Sequence, residues 1–142
     1  MLEKNGLMNR LFSTDQILSI AALRILLGCI FLNAGIGKLF GIGGWGGISG
    51  TTAYFETIGV AFPEISAYVV GCVEFIGGSL LILGFLTRLA AFPLAMTMFF
   101  ALFIVHRQVG FHYPMVIFAS CFVLMQLGGG SYSLDGLISR KR

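Results

Sequence analysis

The chain has 142 residues, of which 57 % are hydrophobic and 11 % charged, where a soluble domain carries about 25 % charged residues. A soluble fold this small leaves too much of its surface in water to hide so much apolar area, which excludes a water-soluble domain and makes lipid the solvent that fits. The formal net charge of +3 is small and scattered, with no basic stripe interleaved with aromatics, and this excludes a nucleic-acid partner.

Lys4 and Arg10 precede the first apolar run. That run is too long for a signal peptide and no convincing small-x-small cleavage site follows it, so it reads as an uncleaved first span. Leu7, Met8, Leu11 and Phe12 suggest an interfacial lead-in, and Ser13 with Gln16 makes a capping-box pattern. A hydrocarbon core about 30 Å thick needs about 20 apolar helical residues; the first such span is predicted at 17–40. Residues 41–66 form the longest connection, and its glycine-rich start holds the only tryptophan, Trp45. Thr51 is placed to cap a short helix that Gly59 ends, and Trp45, Tyr54, Phe55 and Phe62 suit a membrane–water boundary. This segment is expected outside, as a re-entrant or surface cap.

The second span is predicted at 67–86, with a tight turn at Thr87 and Arg88. The third covers 89–105, with Pro93 tolerated in its first turn, and a polar connection runs from His106 to His112. The fourth, 113–127, is short and calls for little tilt or local thinning of the bilayer. Gly128 to Gly130 end it, and Arg140, Lys141 and Arg142 form a basic tail. Lys4, Arg10, Arg88 and the tail fall on one side, against Arg107 and a helix-end Lys38 on the other, so the positive-inside rule puts both termini in the cytoplasm. The expected fold is therefore all-α: one polytopic transmembrane four-helix bundle spanning 1–142.

Arg24, Lys38 and Glu74 sit within or beside the apolar spans, where ionisable side chains turn toward a partner or a polar cavity. Arg24, Gly28, Phe31, Gly35 and Lys38 share one helical face, as do Gly71, Glu74 and Gly78. Glycine lets helices approach closely in lipid, so the first two spans are expected to pack on these faces with Glu74 neutralised by a cation. Rise per residue puts Arg24 and Glu74 about 8 Å apart in height, and Lys38 somewhat further from Glu74 in the opposite sense, which favours Arg24 slightly. The pair serves either as a structural ion pair that fixes register, or as a polar pocket for a small molecule such as a quinone head group, or as a proton site.

The remaining polar residues carry weaker signals. His106 and His112 are six apart in a rim connection; a bis-histidine haem needs histidines deep on facing helices, so these read as surface residues, and no metal site is expected. Gln126 and Ser120 are expected to hydrogen-bond between helices. Cys29, Cys72 and Cys121 lie in apolar runs with no C-x-x-C pair, as small buried hydrophobes. Gly41, Gly43 and Gly46 match G-x-G-x-x-G, but a membrane span precedes them where a dinucleotide site requires a strand.

The order Arg24-x3-Gly28, Gly35-Ile-Gly-Lys38, Glu74-x2-Gly-Gly78 and Gly84-x2-Thr87-Arg88, closed by Gly128-Gly-Gly-Ser-Tyr-Ser-Leu-Asp135, resembles the DoxX family of small bacterial membrane proteins. A departure is the unbroken final glycine run, where the family often has a proline or basic residue. The resemblance implies a four-span frame in the bacterial inner membrane, charged family positions at Arg24, Lys38, Glu74 and Arg88 as candidates for a buried polar or ligand pocket, and a link to quinone-dependent membrane redox assemblies. No cofactor ligand in the sequence explains electron transfer, so the expected role is a small accessory subunit of a redox or respiratory complex. Such a subunit would have no cofactor of its own, would contact quinone or lipid, and would have larger redox subunits or further copies of itself as partners. The competing readings are a small-solute transporter or channel, disfavoured because a paired Glu74 couples poorly to substrate, and a purely structural membrane subunit.

Overall fold

The computed structural model describes residues 16–104 and 110–139. Lys4, Arg10, the lead-in, the Ser13 cap, His106, Arg107 and the basic tail lie outside the described residues. Every described element is a helix: α1 (Gln16–Phe40), α2 (Gly47–Thr57), α3 (Pro63–Leu83), α4 (Thr87–Ile104), α5 (His112–Leu127) and α6 (Leu134–Ser139). Three of them, with apolar stretches Leu18–Phe40, Pro63–Leu83 and Thr87–Ile104, are long and apolar enough to cross a membrane. The fourth expected span, α5, is apolar but has only 16 residues, about 24 Å of helix against a core of about 30 Å.

Several boundaries differ from expectation, each for a visible reason. The segment 41–66 contains a formed helix that begins at Gly47, so Thr51 is an interior residue and not its cap. Its hydroxyl donates back to the Gly47 carbonyl at 2.8 Å. The stop at Gly59 is as expected, with Gly59 N–H donating to Glu56 O at a φ of 76° that favours glycine. Helix α3 begins at Pro63 and not near residue 67, because proline's fixed φ and missing N–H suit the first helical position. It ends at Leu83, where Gly84 in the left-handed region caps it and both Gly84 and Phe85 donate to the Leu80 carbonyl. The turn is thus Gly84–Leu86, and Thr87 already starts α4. Pro93 consequently falls inside α4 beyond its first turn.

Helices α1 and α3 make the principal contact of the bundle and run antiparallel: Gly28 faces Gly78 and Ile82, Gly35 faces Glu74 and Phe75, and Gly71 faces Leu39. Helix α4 packs beside α3, with Leu94 against Gly77. Helix α5 pairs with α4, including a Phe99–Phe118 ring contact with centroids 5.9 Å apart. The core that results joins Leu27, Phe31, Leu81, Leu94, Cys121 and Leu124. Outward lie Leu26, Val69, Ile76, Phe92, Phe103 and Phe122, all exposed. So large an apolar exterior is stable only against acyl chains. Cysteine placement departs from expectation: Cys121 is buried, but Cys29 and Cys72 are exposed on the outer surface of the bundle.

Candidate functional site

Glu74, 2 % exposed, and Lys38, 7 % exposed, form an ion pair with Lys38 Nζ 2.5 Å from a Glu74 carboxylate oxygen. The expectation that Arg24 would be the partner is therefore corrected, and the register explains why. With Gly28 opposite Ile82 and Gly35 opposite Phe75, the residue facing Glu74 is near Ile36. Lys38 lies about 3 Å along the axis from that level and Arg24 about 18 Å away. Burying both charges is costly, and close geometry with a satisfied hydrogen bond is what offsets it.

Sequence residues not singled out as site members complete the enclosure. Lys38 Nζ sits 4.5 Å from the centre of the Trp45 ring, a cation–π contact that strengthens when water is excluded. Trp45 also packs on Gly37, where a Cβ would strike the indole. Thr51 Oγ1 reaches the Lys38 carbonyl at 3.3 Å, tying α2 to the end of α1. Tyr113, at the start of α5, lies within electrostatic reach of Glu74. The lone tryptophan within two turns of a span-end lysine was the available signal for Trp45; nothing local marks Thr51 or Tyr113. A cleft of about 300 Å³ opens between α2 and the start of α3, lined by Ile48, Ser49, Thr52, Ala53, Glu56 and Glu64. Neither Lys38 nor Glu74 lines it, so the ion pair is sealed from this opening.

Arg24 is elsewhere. It is 2 % exposed at the opposite end of the α1–α3 contact and donates from Nη2 to the Tyr132 carbonyl at 2.9 Å. Arg88, expected among the buried polar positions, is exposed at the start of α4, where Gly128 packs close to its guanidinium. Asp135 receives the Leu86 and Thr87 amides at 2.8 and 2.9 Å, so a carboxylate 48 residues downstream caps α4. That cap satisfies orphan amides and favours the helix dipole, which is why α4 begins at Thr87. Asp135→Ala is expected to lower stability by about 1–2 kcal/mol, read as a lower unfolding midpoint in detergent; an unchanged midpoint would show that the cap carries no weight.

The weaker candidates do not gather. His112 is exposed at the start of α5 against the Phe111 ring, His106 lies outside the described residues, and Gln126 is exposed on α5. Ser120 was expected to bond between helices but donates within its own helix, to Val116 O at 2.8 Å. Among the described residues no group of three or more His, Cys, Asp or Glu could hold a metal ion.

Comparisons with known proteins agree with this architecture. A sequence model of the DoxX family matches residues 19–107. The chain is 32 % identical over 125 residues to "Inner membrane protein YqjF" of Escherichia coli (strain K12), covering 83 % of this chain and 90 % of that one. It is 33 % identical over 104 residues to "Putative oxidoreductase CatD" of Bacillus subtilis (strain 168), covering 73 % of this chain and 69 % of that one. It is 36 % identical over 89 residues to "Uncharacterized membrane protein Rv3486" of Mycobacterium tuberculosis (strain ATCC 25618 / H37Rv), covering 63 % of this chain and 52 % of that one. No solved structure matches. The apolar helices and the Escherichia coli relative make this a multi-pass protein of the bacterial inner membrane, and the chain belongs to the DoxX family.

Proposed function

We propose that the chain is a small accessory subunit of a membrane redox assembly, in which the Lys38–Glu74 pair is the functional polar centre of the bundle. The observation that carries this reading is the pair itself: two opposite charges held 2.5 Å apart between apolar helices, under a tryptophan, with no cluster of ligating side chains among the described residues. Such a centre can orient a partner group or pass a proton but supplies no electron carrier. The relative named as an oxidoreductase lends the redox context. Quinone or lipid is then a contact at the subunit boundary, and electron carriers belong to larger neighbours.

In this reading α5 crosses the membrane as the fourth span of one domain. It packs along α4, and its 16 residues are accommodated by local thinning of the bilayer. Both termini then lie in the cytoplasm, with Arg88 and the α3–α4 turn on the same side, and the Lys38–Glu74 pair lies toward the outer face.

The test is isolation of the full-length protein from its native membrane in mild detergent, followed by identification of co-purifying proteins and extraction of bound quinone. Co-purification with larger redox subunits is expected. Recovery of the chain alone, moving a small solute across liposomes, would overturn the proposal.

A further inference from the structure

The second buried cation has more hydrogen-bonding capacity than the protein satisfies. Arg24 is 98 % shielded, taking its 2 % exposure, yet among the described residues only its Nη2 finds an acceptor. Nε and Nη1 are buried with no partner among the described residues, and so is the hydroxyl of Thr87, which is fully buried. The neighbouring acceptors are already engaged. Asp135 takes the Leu86 and Thr87 amides, and the Ser133 hydroxyl donates to Gly130 O while accepting from Gly136 N. Among the described residues no ion pair closes between Asp135 and Arg24.

These unmatched donors converge. A Cβ on Gly84 would strike the Arg24 guanidinium and come within 2.6 Å of Ser133 Cβ; a Cβ on Gly129 would come within 2.6 Å of Thr87 Oγ1 and 2.8 Å of Ser133 Cβ. Ser133 thus lies near both donor groups, and Gly84 and Gly129 must lack side chains because a Cβ at either would collide with the atoms packed there. A guanidinium carries donors in a rigid fork and a threonine hydroxyl adds one more. Leaving them unmatched away from water costs free energy at every group. What completes the set is a ligand rich in acceptors and negatively charged.

The surroundings favour a phosphate oxygen. The site lies where the end of α3, the start of α4 and the end of α5 meet, and the ends of membrane-crossing helices are the parts that adjoin lipid head groups. Exposed Arg88 stands beside it against Gly128. Leu86, Leu89, Leu134, Leu137 and Ile138 are exposed around it, a flank suited to acyl chains. Arginine matches phosphate through paired N–H donors, and basic sites between transmembrane helices hold anionic lipid head groups.

We propose that Arg24 and Thr87, with Arg88 at the rim, form a binding site for a phosphate oxyanion, supplied by an anionic phospholipid head group or by free phosphate. The site is separate from the Lys38–Glu74 centre and does not depend on the redox reading.

The test uses full-length protein, delipidated in detergent, with binding followed by native mass spectrometry and by the unfolding midpoint. One arm adds phosphatidylglycerol, with phosphatidylcholine as the uncharged control; the other adds inorganic phosphate without lipid. Thr87→Val is the decisive variant, because it keeps the shape and removes a hydroxyl that has no protein partner, so the unliganded fold is undisturbed. The expected result is retention of phosphatidylglycerol over phosphatidylcholine, a raised midpoint, and binding about tenfold weaker in Thr87→Val. Arg24→Lys, which keeps the charge and loses the fork, should weaken it further. Equal protection by inorganic phosphate alone would name free phosphate as the source and leave the site standing. Equal binding by wild type and Thr87→Val in both arms, or binding in neither, would overturn the proposal and leave water as the occupant. If Arg24→Lys does not accumulate, Thr87→Val still decides.

Discussion

Replacing Glu74 with Gln is expected to destabilise the protein by about 3 kcal/mol or more, because breaking one side of a buried ion pair leaves the other charge uncompensated. Lys38 is 7 % exposed, and its remaining neighbour is the face of Trp45. A cation–π contact is worth about 2 kcal/mol when desolvated and does not replace a carboxylate at 2.5 Å. The double variant Lys38→Met, Glu74→Leu removes both charges and should recover most of the loss, since apolar substitutes for a whole buried pair are often neutral or stabilising. A double-mutant cycle by denaturant titration in micelles measures the coupling. If Glu74→Gln unfolds at the wild-type midpoint, the pair is not an ion pair in the membrane. The cycle also separates the two roles open for this centre. A double variant that is stable and still supports its assembly makes the pair a register device; one that is stable and inert makes the charges functional.

How much of this was legible in the sequence depends on the distance over which each feature is determined. The helices were legible because long apolar runs and punctuating glycines act locally, and the glycine-rich faces of α1 and α3 correctly predicted that these helices pack together. The identity of Glu74's partner was not. Heights measured from span ends separated Lys38 and Arg24 by only a few ångströms of difference, whereas the true register follows from which glycine meets which backbone, as at Gly35 and Phe75. The start of α4 was missed for a similar reason: it is set by Asp135, 48 residues away from Thr87. Asp135 and Thr87 both stand in the motifs that carry the family resemblance, but a capping carboxylate beyond the last apolar span bears no local mark of the helix it caps. Arg88 erred in the other direction. It is a charged residue in a motif, yet it is exposed at a helix start, and its neighbour Thr87 is the buried one.

Gly78→Ala is expected to be destabilising by about 1–3 kcal/mol, although the same change in an unpacked helix would stabilise it by up to about 1 kcal/mol. The sign turns on what the new methyl group meets. At Gly78 a Cβ would lie 2.5 Å from the amide nitrogen of Leu32 and 2.8 Å from the carbonyl oxygen of Gly28. These are backbone atoms of the facing helix, and no rotamer change can move them; α1 and α3 must separate. Separation weakens the dispersion contacts and close backbone approach that hold helices together where lipid offers no hydrophobic driving force between them. Gly71 on the same face provides the comparison. A Cβ there would meet the Leu39 side chain, Cδ2 at 2.7 Å and Cγ at 2.9 Å, and a half-exposed leucine can rotate toward lipid. Gly71→Ala should therefore cost at least about 1 kcal/mol less than Gly78→Ala, the gain in helix propensity offsetting much of the repacking. Unfolding midpoints of the two variants in the same detergent measure the difference. Equal losses would mean that the contact between α1 and α3 is loose enough to absorb a methyl group anywhere along it, and the register that brings Lys38 to Glu74 would then need another origin.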